Sequence, residues 1–145
     1  MRNDWMNGIM GVIVGDALGC PVQFMSRSEI ANRAAGPVTG MESGGVYETS
    51  AGTWTDDSSL TLAACVSMQE LREVNLDDIM ERFVDWYRSG KYTPFGEAFD
   101  IGNTCSMAIE RYERERDPHS CGGISEHAMI CAETGRGILR QNKPP

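Results

Sequence analysis

An all-α fold is predicted by three features of this 145-residue chain. Four segments carry apolar residues on one helix face, and Leu76–Tyr87 follows i, i+3, i+4 and i+7 almost without error. No segment alternates with the period of two that a half-buried strand requires. Clusters rich in Gly, Ser, Thr and Pro separate the periodic segments, as turns and loops should. The length suits one domain with one core, spanning 1–145.

The first helix is expected over residues 5–18. Trp5, Ile9, Ile13 and Ala17 share one face. Gly8, Gly11, Gly15 and Gly19 form a second stripe of small residues. Glycine weakens a helix, so the stripe has a purpose: close approach of a neighbouring helix, or room for a ligand beside Asp16. A short helix follows over residues 26–35 and stops at Gly36-Pro37. From Val38 to Trp54 no period is sustained, and the segment reads as a long ordered loop of the functional kind. A helix then starts at Asp56 with Thr55 as N-cap, its stripe running Leu60, Ala64, Ser67 or Met68, and Leu71 towards Arg72. Asn75 caps the next helix, where Leu76, Ile79, Met80, Phe83, Val84 and Tyr87 follow the helical template and Ser89-Gly90 closes it. After a turn at Thr93–Gly96, the last clear helix begins at Asn103 or Thr104 and runs to Arg116, before Pro118. The tail, 121–145, is irregular, with a short helical pattern at 126–131.

A net charge of −8 excludes a phosphate-tracking nucleic-acid binder, which needs clustered Lys and Arg. No apolar run is read as long enough to span a membrane. Ile9–Cys20 has the outline of a lipoprotein signal ending in Ala17-Leu18-Gly19-Cys20. Asp4 and Asp16 break that pattern, so the expected location is the cytoplasm. Five cysteines without a Cys-x-x-Cys pair are expected to be reduced and mostly buried.

Asp56 and Asp57 carry the strongest chemical signal. Two adjacent carboxylates preceded by the Thr55 hydroxyl offer hard oxygens for Mg²⁺ or a similar cation. The same residues also suit a helix start, where a hydroxyl caps and acids complement the dipole. Neighbouring helical residues diverge by about 100°, so the two acids cannot face each other across a scissile bond. A zinc module built from His119, Cys121, His127 and Cys131 is a rival, with a one-residue gap unusual for zinc.

Gly15-Asp16-Ala17-Leu18-Gly19 with Pro21 and Phe24, Gly52-Thr53-Trp54-Thr55-Asp56-Asp57, Asp78-Ile79-Met80 through Trp86, and Phe99-Asp100-Ile101-Gly102-Asn103-Thr104 together resemble the ADP-ribosylglycohydrolase family, over residues 5–123. The resemblance implies an orthogonal helical bundle with a two-metal site, usually Mg²⁺, with Mn²⁺ as a substitute. It implies hydrolysis between C1″ of the distal ribose of ADP-ribose and a group such as an arginine guanidinium. The partner would then be ADP-ribose or an ADP-ribosylated protein. By the same resemblance Thr55, Asp56 and Asp57 are metal ligands, and Gln23, Gly135 and Gly137 fall in substrate-binding positions.

Three departures shape the expectation. Gln23 occupies a position where relatives commonly carry Glu. The chain has no Asp-x-Asp, the element with which the family completes its metal site. Gly135-Arg136-Gly137-Ile138-Leu139-Arg140 is a shortened form of the ligand loop. The chain is therefore expected to be the N-terminal portion of the fold and an incomplete form of the enzyme. The alternative is a non-catalytic ADP-ribose-binding or helical interaction module. Uncovered apolar faces, such as that of Leu76–Tyr87, lead to an expectation of self-association or of pairing with a missing C-terminal half.

Overall fold

Five helices follow one another in the computed structural model, which describes residues 4–122. They are α1 (Asp4–Gly19), α2 (Arg27–Ala31), α3 (Asp56–Leu71), α4 (Leu76–Ser89) and α5 (Asn103–Glu115), with a 3-10 turn at Cys20–Val22 after α1. Among the described residues there is no strand; Gly44 and Thr49 make a single isolated antiparallel bridge. The all-α expectation holds. The tail beyond Gly122, with the helical pattern at 126–131, lies outside the described residues.

The helix ends follow from local chemistry. Ser26 and Glu29 form a reciprocal capping box on α2: the Glu29 amide donates to Ser26 Oγ at 3.2 Å and the Ser26 amide to Glu29 Oε2 at 2.6 Å. The helix is shorter than the 26–35 expected. At its end the Asn32 side chain donates to the Ser28 carbonyl at 2.8 Å, and the chain turns towards the Arg33–Glu42 ion pair. Asn75 caps α4 as predicted, accepting from the Asp78 amide at 3.0 Å. Arg72, Gly90 and Arg116 end α3, α4 and α5 in the left-handed region.

Helix α3 packs between α1 and α4, and α4 packs on α5. The core holds Trp86, Ile109, Tyr112, Ala63 and Ala17, with Cys20 and Cys121 also buried. The buried stripe of α3 is Ser59, Ala63 and Ser67 with Ser58. Of the expected stripe, Ser67 is buried, whereas Leu60 and Ala64 are half-buried and Leu71 exposed, so the face turns towards Ser59 and Ala63. Small residues on that face let neighbouring helices approach closely, and the Ser59 hydroxyl is satisfied by donating to the Thr55 carbonyl at 2.9 Å.

Two expectations about exposed surface change. The apolar face of α4 is largely covered: Trp86 is fully buried, and Ile79, Met80, Phe83, Val84 and Tyr87 are half-buried. Apolar exposure is concentrated on α1 instead, at Trp5, Met6, Met10, Val12 and Val14. The glycine stripe of α1 is not the face that meets α3, because a Cβ added at Gly8, Gly11, Gly15 or Gly19 would have no neighbour within 4 Å. Trp5–Val22 is also, by length and composition alone, an 18-residue run apolar enough to cross a membrane. That corrects the reading that no run is long enough. The same segment holds Asp16, whose carboxylate is fully committed to α3 (below).

One buttress supports the turn before α3. The Trp54 indole donates to the Tyr92 carbonyl at 3.1 Å, and Arg82 donates to the Tyr92 hydroxyl at 3.2 Å while pairing with Asp78 and Glu70 at 2.7 Å each. Tyr92 belongs to the turn after α4, which starts at Gly90, whose φ is +67° and where an added Cβ would collide with the Gly96 carbonyl group. Gly90→Ala should therefore destabilise the protein by roughly 2 kcal/mol or more, the scale of a left-handed L-residue plus a backbone clash. Urea unfolding checks this, and an unchanged midpoint would contradict it.

Candidate active site

Asp16 lies in the last turn of α1, the one acid in an otherwise apolar stretch from Trp5 to Val22. Its carboxylate accepts four hydrogen bonds from the start of α3. Oδ1 accepts from the Thr55 hydroxyl at 2.8 Å. Oδ2 accepts from the Thr55 amide at 2.9 Å, the Ser58 amide at 3.1 Å and the Ser58 hydroxyl at 2.5 Å. Helix N-termini present amides without intrahelical partners and a partial positive charge. Asp16 satisfies both from a distant part of the chain. Thr55 stands at the N-cap position but makes no side-chain cap bond. The expectation that Thr55 caps α3 is corrected: its hydroxyl is a donor to Asp16, and Asp16 is the cap.

The turn opens on a cleft of about 290 Å³ lined by Asp16, Thr55, Asp57, Asp100 and Gln23, with Gly19, Cys20 and Val22. Thr55 is buried, Asp56 half-buried and Asp57 exposed. Asp56 does not line the cleft, but three other carboxylates do. Burial first, then Asp57, Asp100 and Asp16, push the Asp56 carboxyl up to about 6. Gln23 has its amide nitrogen buried without a hydrogen-bond partner.

Asp100 was not among the site residues expected from sequence. It sits at φ +58° and accepts from the Tyr47 hydroxyl at 2.7 Å. That hydrogen bond is the main reason the Tyr47 phenol is pushed up to about 12. Its place inside the Phe99–Thr104 segment of the family resemblance was the available signal, but nothing local ties it to residue 47. Asp16 had a clearer signal, a lone acid in an apolar helix. Among the described residues no group of three or more Asp, Glu, His or Cys side chains is close enough to hold a metal. Of the rival zinc set, His119 and Cys121 fall on a turn where the Cys121 thiol donates to the Pro118 carbonyl. His127 and Cys131 lie outside the described residues, as do Gly135 and Gly137.

A helical fold whose third helix begins with Thr-Asp-Asp, anchored on an aspartate of the first, defines a class. The chain belongs to the ADP-ribosylglycohydrolase family, whose model matches residues 2–139. It is 34% identical over 104 residues to the ADP-ribosylarginine hydrolase Tri1 of Serratia proteamaculans (strain 568), covering 72% of this chain and 27% of that protein. It is 36% identical over 128 residues to the ADP-ribosyl-[dinitrogen reductase] glycohydrolase of Rhodospirillum rubrum, covering 86% and 41%. Among solved structures it is similar to a chain of an ADP-ribosylglycohydrolase-related protein complex, with a TM-score of 0.59 and 31% identity, over 79% of this chain and 34% of that one. The chain thus spans about a quarter to two fifths of the length of these curated relatives.

Two outcomes test the site's physics. Asp16→Ala strands the amides and hydroxyls of Thr55 and Ser58, and should cost about 2–3 kcal/mol in chemical denaturation. A loss below about 0.5 kcal/mol would show that water caps α3 equally well. The second concerns pH. A carboxyl raised from 3.8 to about 6 binds its proton more tightly folded than unfolded. Its stabilisation is complete below pH 3.8 and is lost as pH climbs through about 6. Asp56→Asn should therefore gain stability over the parent as pH rises from 4 to 8 in EDTA. Parallel melting curves across that range would contradict the assignment.

Proposed function

We propose that this chain carries the first ligand cluster of an ADP-ribosyl glycohydrolase, an enzyme hydrolysing the C1″ bond of an ADP-ribosylated protein in a Mg²⁺-dependent reaction. The observation that carries the reading is the Thr55-Asp56-Asp57 turn, locked by Asp16 at the mouth of a carboxylate-lined cleft. The family assignment and the names of the relatives support the reaction class.

The donor chemistry fits a hard divalent cation. The Thr55 hydroxyl gives its proton to Asp16, which leaves its oxygen lone pairs available. Asp57 adds an exposed carboxylate, and the crowding of Asp56 by Asp57, Asp100 and Asp16 is the kind of negative field that a cation relieves. Mg²⁺ bound there would orient ribose hydroxyls and offset diphosphate charge. Mn²⁺ shares that preference for oxygen ligands. The described residues provide only part of a coordination shell, in keeping with a chain that spans part of its relatives' length.

The other roles belong to the chain itself. Asp16 holds the turn rigid. Asp100, with its oxygen engaged by Tyr47, brings a further acceptor to the cleft wall. Gln23 offers a buried N–H donor to a ligand oxygen at a position where the family resemblance leads one to expect a carboxylate. An amide cannot act as a base. This specific feature favours the second reading, a module that binds ADP-ribose without hydrolysing it. We place the protein in the cytoplasm, where ADP-ribosylated proteins would be met.

The isolated chain should release little or no ADP-ribose from ADP-ribosylated arginine or serine substrates with Mg²⁺ or Mn²⁺ present. Positioning of ribose and water needs more ligands than one cluster supplies. Metal-dependent turnover that disappears in both Asp56→Ala and Asp57→Ala would overturn the inactivity and establish the site.

A further inference from the structure

A second and larger cleft, of about 510 Å³, is lined by Tyr47, whose hydroxyl bonds Asp100 of the candidate site. Tyr47 and Phe95 form its apolar walls, the Ala51–Thr53 backbone its floor, and Glu48 and Glu97 its acidic lining. No Lys or Arg lines it. Both rings are set by a third, with Tyr47 meeting Phe99 edge-on at 5.4 Å and Phe95 tilted against Phe99 at 5.0 Å. Tyr47 and Phe95 nonetheless remain 41% and 49% exposed, so ring surface is left over for a ligand. Glu48 and Glu97 are exposed, and neither carboxylate makes a hydrogen bond or ion pair among the described residues.

We propose that this cleft binds an arginine side chain of the substrate polypeptide, close to the modified residue. The inference rests on the reading that the target is an ADP-ribosylated protein. Pre-set aromatic faces beside unpaired carboxylates are what a guanidinium recognises. It stacks on the ring, shares its N–H groups with the acids, and sheds water more readily than an ammonium. A chain of net charge −8 attracts a basic segment over a distance. The position is apt, because the floor residue Thr53 is two residues from Thr55, and Tyr47 hydrogen-bonds Asp100 in the wall of the first cleft. A basic residue held here would lay the modified side chain towards that cleft, so target choice and bond cleavage would use adjoining surfaces.

The test is an NMR titration of the ¹⁵N-labelled chain with an unmodified peptide of alternating glycine and arginine, with free ADP-ribose titrated separately. The peptide should shift the amide signals of Glu48, Ala51, Gly52 and Thr53 saturably, and a serine-for-arginine peptide should not. The double variant Glu48→Gln/Glu97→Gln should weaken binding by at least ~5-fold, as should raising the salt tenfold. Its fold is checked by intrinsic tryptophan fluorescence. Absence of saturable shifts at those four residues, or equal affinity in the double variant, would overturn the proposal. So would shifts at the same residues from ADP-ribose alone. Failure of ADP-ribose to bind anywhere, with the peptide still bound, would instead count against the glycohydrolase reading and leave the cleft standing.

Discussion

The structure depends on a single carboxylate bridging two helices that are far apart in sequence. Asp16 and Thr55 are separated by 39 positions, yet four hydrogen bonds join them and Ser58. A local N-cap would settle only where α3 starts. A cap brought from α1 settles also how α3 sits on α1, and hence where the Thr-Asp-Asp turn faces. The ionised oxygens of Asp16 have no better use in an apolar helix than amides at a positive helix end. Helix orientation and site geometry are consequences of the same interaction.

The rest of the molecule holds that turn from behind. The Trp54 indole, the Tyr92 carbonyl and the Arg82 guanidinium form a chain of contacts from the residue before Thr55 to the middle of α4. Gly45 helps from the loop side. Its backbone packs so tightly on Pro21, at φ +76°, that a side chain would collide with the Pro21 main chain. The 38–54 loop is thereby pinned to the 3-10 turn that ends at Val22. This explains how a segment with almost no regular structure can present Tyr47 to Asp100 in the wall of one cleft while lining the other.

Much of this was legible in the sequence, for identifiable reasons. Helix α4 follows the helical template closely and has a strong local cap at Asn75, so both period and boundary survive folding. The all-α class follows from the absence of any period-two run. The buried face of α3 was only partly legible: Ser67 was in the expected stripe, but Ser59 and Ala63 are small, and packing chose them over Leu60 and Leu71. Hydrophobicity alone ranks them the other way. The candidate turn at Thr55–Asp57 was visible as a cluster of hard donors. The role of Thr55 was not, because the acceptor that reverses it lies in another helix. Asp100 was missed for the same reason: its partner Tyr47 is 53 residues away, and long-range pairing leaves no local pattern.

The Thr55 proton has a further consequence. Because the hydroxyl donates to Asp16, only lone pairs remain to meet whatever enters the cleft. A hydroxyl free to rotate would accept or donate to suit its visitor. This one has a fixed polarity, welcoming electron-poor groups and repelling electron-rich ones. Selection by sign is therefore built into the backbone turn before any residue of the cleft wall is consulted. Its origin is an aspartate whose own charge is already taken up by a helix end.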